Sequence, residues 1–217
     1  MPDNTKPPSD QLELGTAEAS ANGMTTRQKI LEAARKMISQ EGLGAVSMRK
    51  IGKKVGISQV AIYRHFADKN ELVAQIIDEG YQRLVQNLQS AAVQSNNPAE
   101  FIPNVIKAYV DFALADPNFY KAVMFSSSGA ARKQVNSLSP GVARTRDTFR
   151  LVSKILDDGM AQGIFREGDS ELLSQSVWMA IFGIASRMVL EPELPEEHKD
   201  LLLQNAVEII LYGLVRR

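Results

Sequence analysis

Apolar residues recur with helical spacing through most of the chain, so the sequence predicts a protein built from helices. After Thr25 they fall three and four positions apart until Gly42, as they do on one face of a helix. Thr25 followed three residues later by Gln28 is the pattern of a capping box at a helix start. No stretch alternates between apolar and polar residues for long enough to indicate a strand. We therefore expect an all-α fold of about nine helices.

The stretch from Ser47 to Phe66 predicts two short helices joined by a tight turn. Each helix has two apolar residues four positions apart, which share a face and can close onto the other helix. The two pairs are Ile51 with Val55 and Ile62 with Phe66. Gly56 suits the left-handed backbone that ends a helix, and Ser58 is a favourable N-cap for the second helix. This is the pattern of a helix-turn-helix, whose second helix fits the major groove of DNA.

The rest of the chain predicts six more helices separated by turn residues. Asp68 is the expected cap of a long helix that continues to about residue 94 and links the first three helices to the body. Five shorter helices follow, at about residues 99–115, 117–125, 140–162, 169–190 and 196–215. Residues 126–139 have weak periodicity, which predicts a loop or a frayed helix end.

Composition and charge divide the chain into three parts. Residues 1–23 are rich in proline and polar residues with almost no large apolar ones, which predicts a disordered tail. From Met24 to Ile77 there are ten Lys/Arg and four Asp/Glu, whereas the segments before and after each carry a net charge of −3. A basic region of this kind is expected of phosphate binding, although a solvated charged face would give the same count. We predict a DNA-binding domain at 24–70 and a ligand-binding and dimerisation domain at 71–217.

The composition also bears on the compartment. The chain has no cysteine, so it predicts no disulfide framework and no thiolate metal site. It has no run of eighteen apolar residues of the kind that crosses a membrane, and its N-terminus lacks the pattern of a signal peptide. We therefore expect a cytoplasmic protein with no membrane partner.

The C-terminal helix, LLLQNAVEIILYGLV, is apolar nearly all round and must be buried on more than one side. A partner subunit can cover the second side, and the preceding helix offers small residues that permit close helix packing. Two such helices from each subunit would form a four-helix interface with two-fold symmetry. The predicted interface residues are Trp178, Ile181, Ala185, Leu203, Val207, Ile210 and Leu214. The alternative is a helix buried entirely within a monomer.

The sequence offers little that could carry catalysis or bind a metal ion. Its two histidines, His65 and His198, do not stand in a metal-ligand spacing, and there is no Gly-rich phosphate loop or nucleophile elbow. Asp157 and Asp158 are adjacent, so on a helix they point about 100° apart and cannot act as a carboxylate pair. We expect no enzyme activity, no cofactor and no bound metal.

The segment from Thr26 to Lys69 resembles the DNA-binding domain of TetR-type (tetracycline-repressor-like) bacterial regulators. The resemblance rests on ILEAARKMISQEG, SMRKIGKKVGIS and IYRHFADK. Together with side-chain chemistry, it implies a DNA surface made of Ser47, Arg49, Ser58, Gln59, Val60, Ala61, Tyr63, Arg64, His65 and Lys69. Gln59 and Arg64 can hydrogen-bond base edges, and Val60 and Ala61 can meet a thymine methyl. The resemblance assigns Ser47, Tyr63, His65 and Lys69 to phosphates and Arg49 to a base.

The body resembles the family in its helical layout and in a few short patches, among them YVDFALADPNFYKAVMF. Trp178 to Gly183 is similar to a subgroup with the pattern Trp-x-x-x-His-Gly, but Phe182 stands where that pattern has histidine, which implies a more apolar pocket. Pockets for small molecules are mostly apolar with a few placed polar groups. The resemblance therefore suggests that Phe112, Tyr120, Met124, Phe149, Trp178 and Phe182 line a site for an apolar ligand. The alternative is that this set is plain core.

These features together predict a homodimeric regulator, most simply a repressor, that binds a palindromic stretch of double-stranded DNA and is released by a small apolar effector. One alternative is a DNA-binding regulator that takes no effector, which a completely filled body would favour. A more remote alternative is an all-α enzyme or lipid carrier.

Overall fold

The computed structural model describes residues 23–92, 97–125 and 141–215, and all regular structure in these ranges is helical. The helices are α1 (Thr26–Glu41), α2 (Met48–Val55), α3 (Gln59–Tyr63), α4 (Lys69–Ala92), α5 (Pro98–Ala115), α6 (Pro117–Phe125), α7 (Val142–Thr145), α8 (Asp147–Ala161), α9 (Ser170–Leu190) and α10 (Glu196–Leu214). A 3-10 turn, Leu43–Ala45, follows α1. The all-α prediction is confirmed. The predicted tail, apart from Gly23, and the predicted loop at 126–139 lie outside the described residues.

The first three helices fold around a small apolar core. Thr25 caps α1 and exchanges hydrogen bonds with Gln28, as the capping-box pattern predicts. Gly56 ends α2 with φ 80° and ψ 27°, the left-handed conformation. Ser58 caps α3 by accepting a hydrogen bond from the Ala61 amide at 3.1 Å. Each apolar face of the predicted helix-turn-helix turns inward, and Ile51, Ile62 and Phe66 are fully buried there.

Helix α4 connects the N-terminal helices to the body. Asp68 accepts a hydrogen bond from the Glu71 amide at 2.8 Å, and the Glu71 carboxylate reaches back to the amide of Ala67 at 2.6 Å. The apolar stripe predicted for this helix is buried over its whole length: Leu72, Ile76, Ile77, Tyr81, Leu84, Val85 and Leu88. Its neighbours are α1 at one end and α5, α6 and α8 along the body. A single rigid element therefore belongs to both hydrophobic cores.

The body is a bundle with α5 at its centre. Helix α5 packs against α4, α6, α8, α9 and α10, and α9 also packs against α8 and α10. Helix α9 is long and apolar enough to pass a length-and-composition test for a membrane span, the only such helix in the described ranges. It contributes buried residues such as Ile181 and Ala185 to the core. Its apolar character is that of a core helix.

One predicted helix, at residues 140–162, is broken in the structure. Arg146 adopts extended backbone angles, φ −129° and ψ 122°, between α7 and α8. Both Arg146 and Thr148 are buried. Two residues that are two positions apart point to roughly opposite sides of a continuous helix, about 200° apart. The extended residue at the junction lets both side chains face the interior.

Candidate functional site

The outward face of the helix-turn-helix presents several side chains from the predicted DNA surface to solvent. Val60 is 69% exposed, and Gln59, Tyr63 and Arg64 are also exposed. The side chains of Gln59 and Tyr63 lie one turn apart, with the amide nitrogen 3.4 Å from the phenol oxygen. Helix α3 is shorter than predicted and ends at Tyr63, but the amide of Phe66 still bonds to the carbonyl of Ile62 at 3.1 Å. The chain therefore keeps its helical path for one further turn.

The remaining predicted DNA residues surround this helix. Arg49 is exposed, and Ala61, His65 and Lys69 are half-buried. Ser47 is at the N-cap position of α2, but its hydroxyl makes no bond to the helix amides. The Ser58 hydroxyl is used to cap α3, so it positions the helix. The structure thus brings the ten predicted residues to one end of the molecule, where α2, α3 and the start of α4 meet.

The predicted ligand residues lie in the core of the body. Tyr120, Met124, Phe149 and Trp178 are buried, whereas Phe112 and Phe182 are half-buried and pack against that core. The cavity in this region has a volume of only about 10 Å³, roughly one water molecule. It is lined by Leu88, Val105, Tyr109, Thr148, Phe149, Val152, Ser174, Trp178 and Ile181. The predicted pocket is therefore closed in this structure.

The aromatic rings of this core form a connected chain. Phe149 contacts Trp178, which contacts Tyr109, with ring centroids 5.3 and 5.1 Å apart. Tyr109 and Tyr120 then meet edge to face at 6.0 Å. The chain continues through Phe125 to Phe182, with centroids 6.2 and 5.6 Å apart. Tyr109 was missing from the predicted set, although it lies on the same stripe of α5 as its buried neighbours Val105 and Ile106.

Buried hydroxyl groups accompany these rings. The Tyr109 and Tyr120 hydroxyls lie 3.1 Å apart, and Tyr120 lies 3.2 Å from the Ser186 hydroxyl. Separately, Tyr81 and Thr148 share a hydrogen bond of 3.1 Å. Burial raises the pKa of Tyr109 well above its ordinary value and raises the pKa of Tyr120 as well. These phenols are therefore protonated at neutral pH.

A polar contact joins α1 directly to the body. The Ser39 hydroxyl donates to the Asp116 carboxylate, and the Asn118 side-chain amide donates to the Ser39 carbonyl at 2.9 Å. Asp116 also accepts the amide of Phe119 at 2.9 Å, so it fixes the start of α6. The sequence indicated Asp116 only as a helix end, because nothing in a linear pattern shows which residue 77 positions away it meets. This contact, which we call the α1–α6 clamp (Ser39, Asp116, Asn118), is a second link between the two domains beside α4.

The predicted dimer residues are turned mostly toward their own core. Trp178, Ile181, Ala185 and Leu214 are buried within the protomer, and Leu203, Val207 and Ile210 are half-buried against the core. The first four have no surface left for a partner and are corrections to the prediction. The apolar pattern is nearly continuous around α10, so the sequence alone did not show which face turns inward.

The opposite face of α9 and α10 is apolar and exposed. Ile209 is 72% exposed, and Leu202, Tyr212 and Met179 are exposed around it. Between the two helices lies a groove of about 680 Å³. Its lining includes Met179, Gly183, Met188, Leu202 and Ile209, with Arg187, Glu191 and His198 at its edges. Within the described residues, no group of three or more His, Asp or Glu could hold a metal ion.

Two family models match the chain. The model described as "Bacterial regulatory proteins, tetR family" matches residues 30–76, and the one described as "Tetracyclin repressor-like, C-terminal domain" matches residues 102–208. The chain is 25% identical over 99 residues to the uncharacterized HTH-type transcriptional regulator YobS of Bacillus subtilis. That alignment covers 46% of this chain and 51% of YobS, about half the length of this relative.

Solved structures share the whole fold. A TetR-family regulator from Pectobacterium atrosepticum has a TM-score of 0.66 at 24% identity, covering 88% of this chain and 95% of that chain. FadR from Bacillus subtilis, in complex with stearoyl-CoA, has a TM-score of 0.68 at 19% identity, covering 85% and 97%. A protein of unknown function from Rhodococcus sp. RHA1 has a TM-score of 0.73 at 20% identity, covering 88% and 95%.

Proposed function

This chain belongs to the TetR family of bacterial transcriptional regulators, and we propose that it acts as a homodimeric repressor that a small, largely apolar molecule releases from its operator. Family membership confirms the regulator with DNA-binding and ligand-binding domains and the expectation that the chain is not an enzyme. The repressor role, the palindromic operator, the effector and the action in the cytoplasm are our proposal.

The observation that carries this function is the exposed face of α3. Gln59 and Arg64 are free to reach base edges, while Ile62 on the same short helix is fully buried and fixes its orientation. Base contacts specify sequence, and the surrounding basic side chains supply phosphate binding. The ten residues of the predicted DNA surface are therefore retained as the proposed DNA contacts, with Ser58 acting through its cap on α3.

The exposed apolar face of α9 and α10 supports the dimer. A monomeric protein rarely leaves several large apolar residues of two neighbouring helices in water. A two-fold axis beside this face would bring α9 and α10 of both subunits together and bury the 680 Å³ groove. We therefore move the proposed interface from the buried residues to the exposed ones: Met179, Gly183, Leu202, Ile209 and Tyr212.

Effector binding is proposed at the aromatic core around Tyr109 and Trp178. FadR, which shares the fold, is bound to stearoyl-CoA, which supports a ligand in the corresponding domain. A core with 10 Å³ of free volume must open to admit a molecule, and a ligand shifts the population toward the open state only by its preference for that state. The same closed core favours the second candidate function, a regulator that takes no effector.

The test begins with operator selection. Fragments of the source genome bound by the purified protein should converge on a palindrome with half-sites separated by the distance between two recognition helices. The Gln59→Ala variant should bind the same fragments with relaxed preference. A library of small apolar compounds is then screened for release of the selected fragment. Fragments without a common sequence would refute the proposal of a sequence-specific regulator, and an operator that no compound releases would favour the effector-free alternative.

A further inference from the structure

The chain of hydroxyl groups from Tyr109 through Tyr120 to Ser186 crosses the centre of the body. These residues come from three different helices, α5, α6 and α9, and the two tyrosine side chains are fully buried. Three helices that meet through one buried hydrogen-bond chain form a built polar site inside an apolar core. Buried polar groups are costly unless they are hydrogen-bonded, so the chain needs every available partner.

Counting protons shows that the chain has a donor to spare. Three hydroxyls carry three protons, and within the described part of the protein their two mutual hydrogen bonds use two of them. Whichever way the bonds are oriented, one O–H is left without an acceptor in the chain. An oxygen acceptor on a bound molecule would complete the chain, which leaves no deficit of acceptors on the protein side.

The surroundings of this donor exclude a charged ligand group. The nine residues that line the adjacent cavity are apolar or carry neutral hydroxyls, and Tyr109 and Trp178 stand at its wall. Arg146 is buried beyond them, beside Tyr81, and does not line the cavity. A carboxylate placed here would lose its hydration without gaining a cation, which is far more costly than burying a neutral carbonyl.

A path leads from the donor to the surface along the aromatic chain. Tyr120 contacts Phe125, which is 48% exposed at the end of α6, and Phe125 contacts the half-buried Phe182 on α9. Flat rings at the edge of the core can rotate outward and leave space of the same flat shape. The ligand that fits such a space carries rings rather than a long flexible chain.

We propose that the Tyr109–Tyr120–Ser186 hydroxyl chain is the anchor of the effector, and that the effector is a neutral ring compound with a carbonyl oxygen that accepts the spare hydrogen bond. This inference rests on the proposed function, because it names the chemical class of the molecule that the regulator detects.

The experiment uses three compounds with one carbon skeleton: 2-tetralone, tetralin and tetralin-2-carboxylate. Binding to the full-length protein is measured through the fluorescence of Trp178, the only tryptophan of the chain. A net hydrogen bond of about 0.5–1.5 kcal/mol predicts that the ketone binds about 3- to 10-fold more tightly than the hydrocarbon. The carboxylate should bind more weakly than both.

Variants assign the preference to the hydroxyl chain. Removing one hydroxyl still leaves a spare donor, so the test variant combines Tyr109→Phe, Tyr120→Phe and Ser186→Ala. The ketone and the hydrocarbon should then bind equally. The matched control is Tyr81→Phe, which removes a buried tyrosine hydroxyl outside the chain and should keep the preference. Circular dichroism verifies that each variant is folded.

Three results would overturn the inference: equal binding of ketone and hydrocarbon by the wild-type protein, tighter binding of the carboxylate, or no binding of any of the three. The wild-type comparison holds even where the triple variant does not fold. Operator affinity is measured in the same samples. A ketone that binds with the expected preference and leaves operator affinity unchanged would refute the proposed switch but not the anchor.

Discussion

At the scale of single residues, the DNA surface contains side chains of two chemical kinds. Gln59 carries an amide that can pair with adenine in two hydrogen bonds, whereas Lys69 carries a point charge suited to any phosphate. Both residues reach solvent, Gln59 fully and Lys69 in part. The two positions should therefore respond differently to substitution.

We predict that Gln59→Ala reduces discrimination between the operator and a site with one changed base pair by about 1–3 kcal/mol. Lys69→Ala should weaken binding to every sequence alike and reduce the salt slope by about one. Both are measured by fluorescence anisotropy on matched duplexes at several salt concentrations. Uniform losses on all duplexes from both substitutions would contradict the division of roles.

Gly52 is a residue that packing, rather than backbone angle, requires to be glycine. A Cβ atom at this position would lie 2.8 Å from the Ile57 carbonyl oxygen and 3.4 Å from Cδ1 of Ile62. Because the first of these atoms is backbone, the turn between α2 and α3 would have to open. We predict that Gly52→Ala lowers the free energy of unfolding by about 1–3 kcal/mol, as overpacking does.

The matched control is Gly44→Ala, where a Cβ atom would meet nothing within 4 Å. It should leave the stability within about 0.5 kcal/mol of the wild-type value, as surface substitutions usually do. Urea denaturation measures both variants. Equal stabilities of the two variants would show that the turn adapts to the extra methyl group.

At the scale of elements, two connections join the DNA-binding domain to the body. One is α4, whose buried stripe runs through both cores. The other is the α1–α6 clamp, in which Ser39 and Asn118 hold the end of α1 against the start of α6. A movement of α6 around a ligand would act on α1 through the clamp as well as on α3 through α4.

We predict that Ser39→Ala combined with Asn118→Ala reduces the coupling between effector and operator by about 0.5–2 kcal/mol. Both residues are chosen because neither caps α6, so Asp116 keeps its bond to the Phe119 amide. The readout is the ratio of operator affinities with and without effector. Asp111→Ala, which removes an exposed ion pair within α5, is the control, and an unchanged ratio in the double variant would exclude the clamp from the switch.

At the scale of the whole molecule, the exposed apolar face of α9 and α10 requires a partner. We predict that Ile209→Glu yields a monomer that loses tight operator binding, because a buried unpaired carboxylate opposes association. Sedimentation equilibrium and operator titration measure the two effects. Lys154→Glu, on the exposed side of α8, should remain dimeric, and a wild-type monomer at micromolar concentration would refute the interface.

Effector and operator should also oppose each other reciprocally. If the effector lowers operator affinity tenfold, the coupling free energy is about 1.4 kcal/mol, and operator DNA must weaken effector binding by the same factor. Titration of Trp178 fluorescence with and without operator duplex measures this. Equal effector affinities in the two titrations would mean that the ligand site exists without a switch.

The sequence by itself determined the helices and the DNA-binding end of the molecule. These features depend on local signals: the Thr25 capping box, the left-handed Gly56 and the Ser58 cap act within a few residues, and the amphipathic stripe of α4 repeats with the helical period. Local hydrogen bonds and periodicity are properties of the chain, so they can be recognised before the fold is known.

Only the tertiary structure decided which side of each helix meets which neighbour. Helix α10 is apolar nearly all round, so its own pattern did not distinguish the face of Leu214, buried in the protomer, from the face of Ile209, exposed to water. The hydroxyl chain and the clamp join residues 66 and 77 positions apart, and the break at Arg146 follows from burial on two sides of a junction. Each depends on long-range packing, and no local propensity encodes the identity of a distant neighbour.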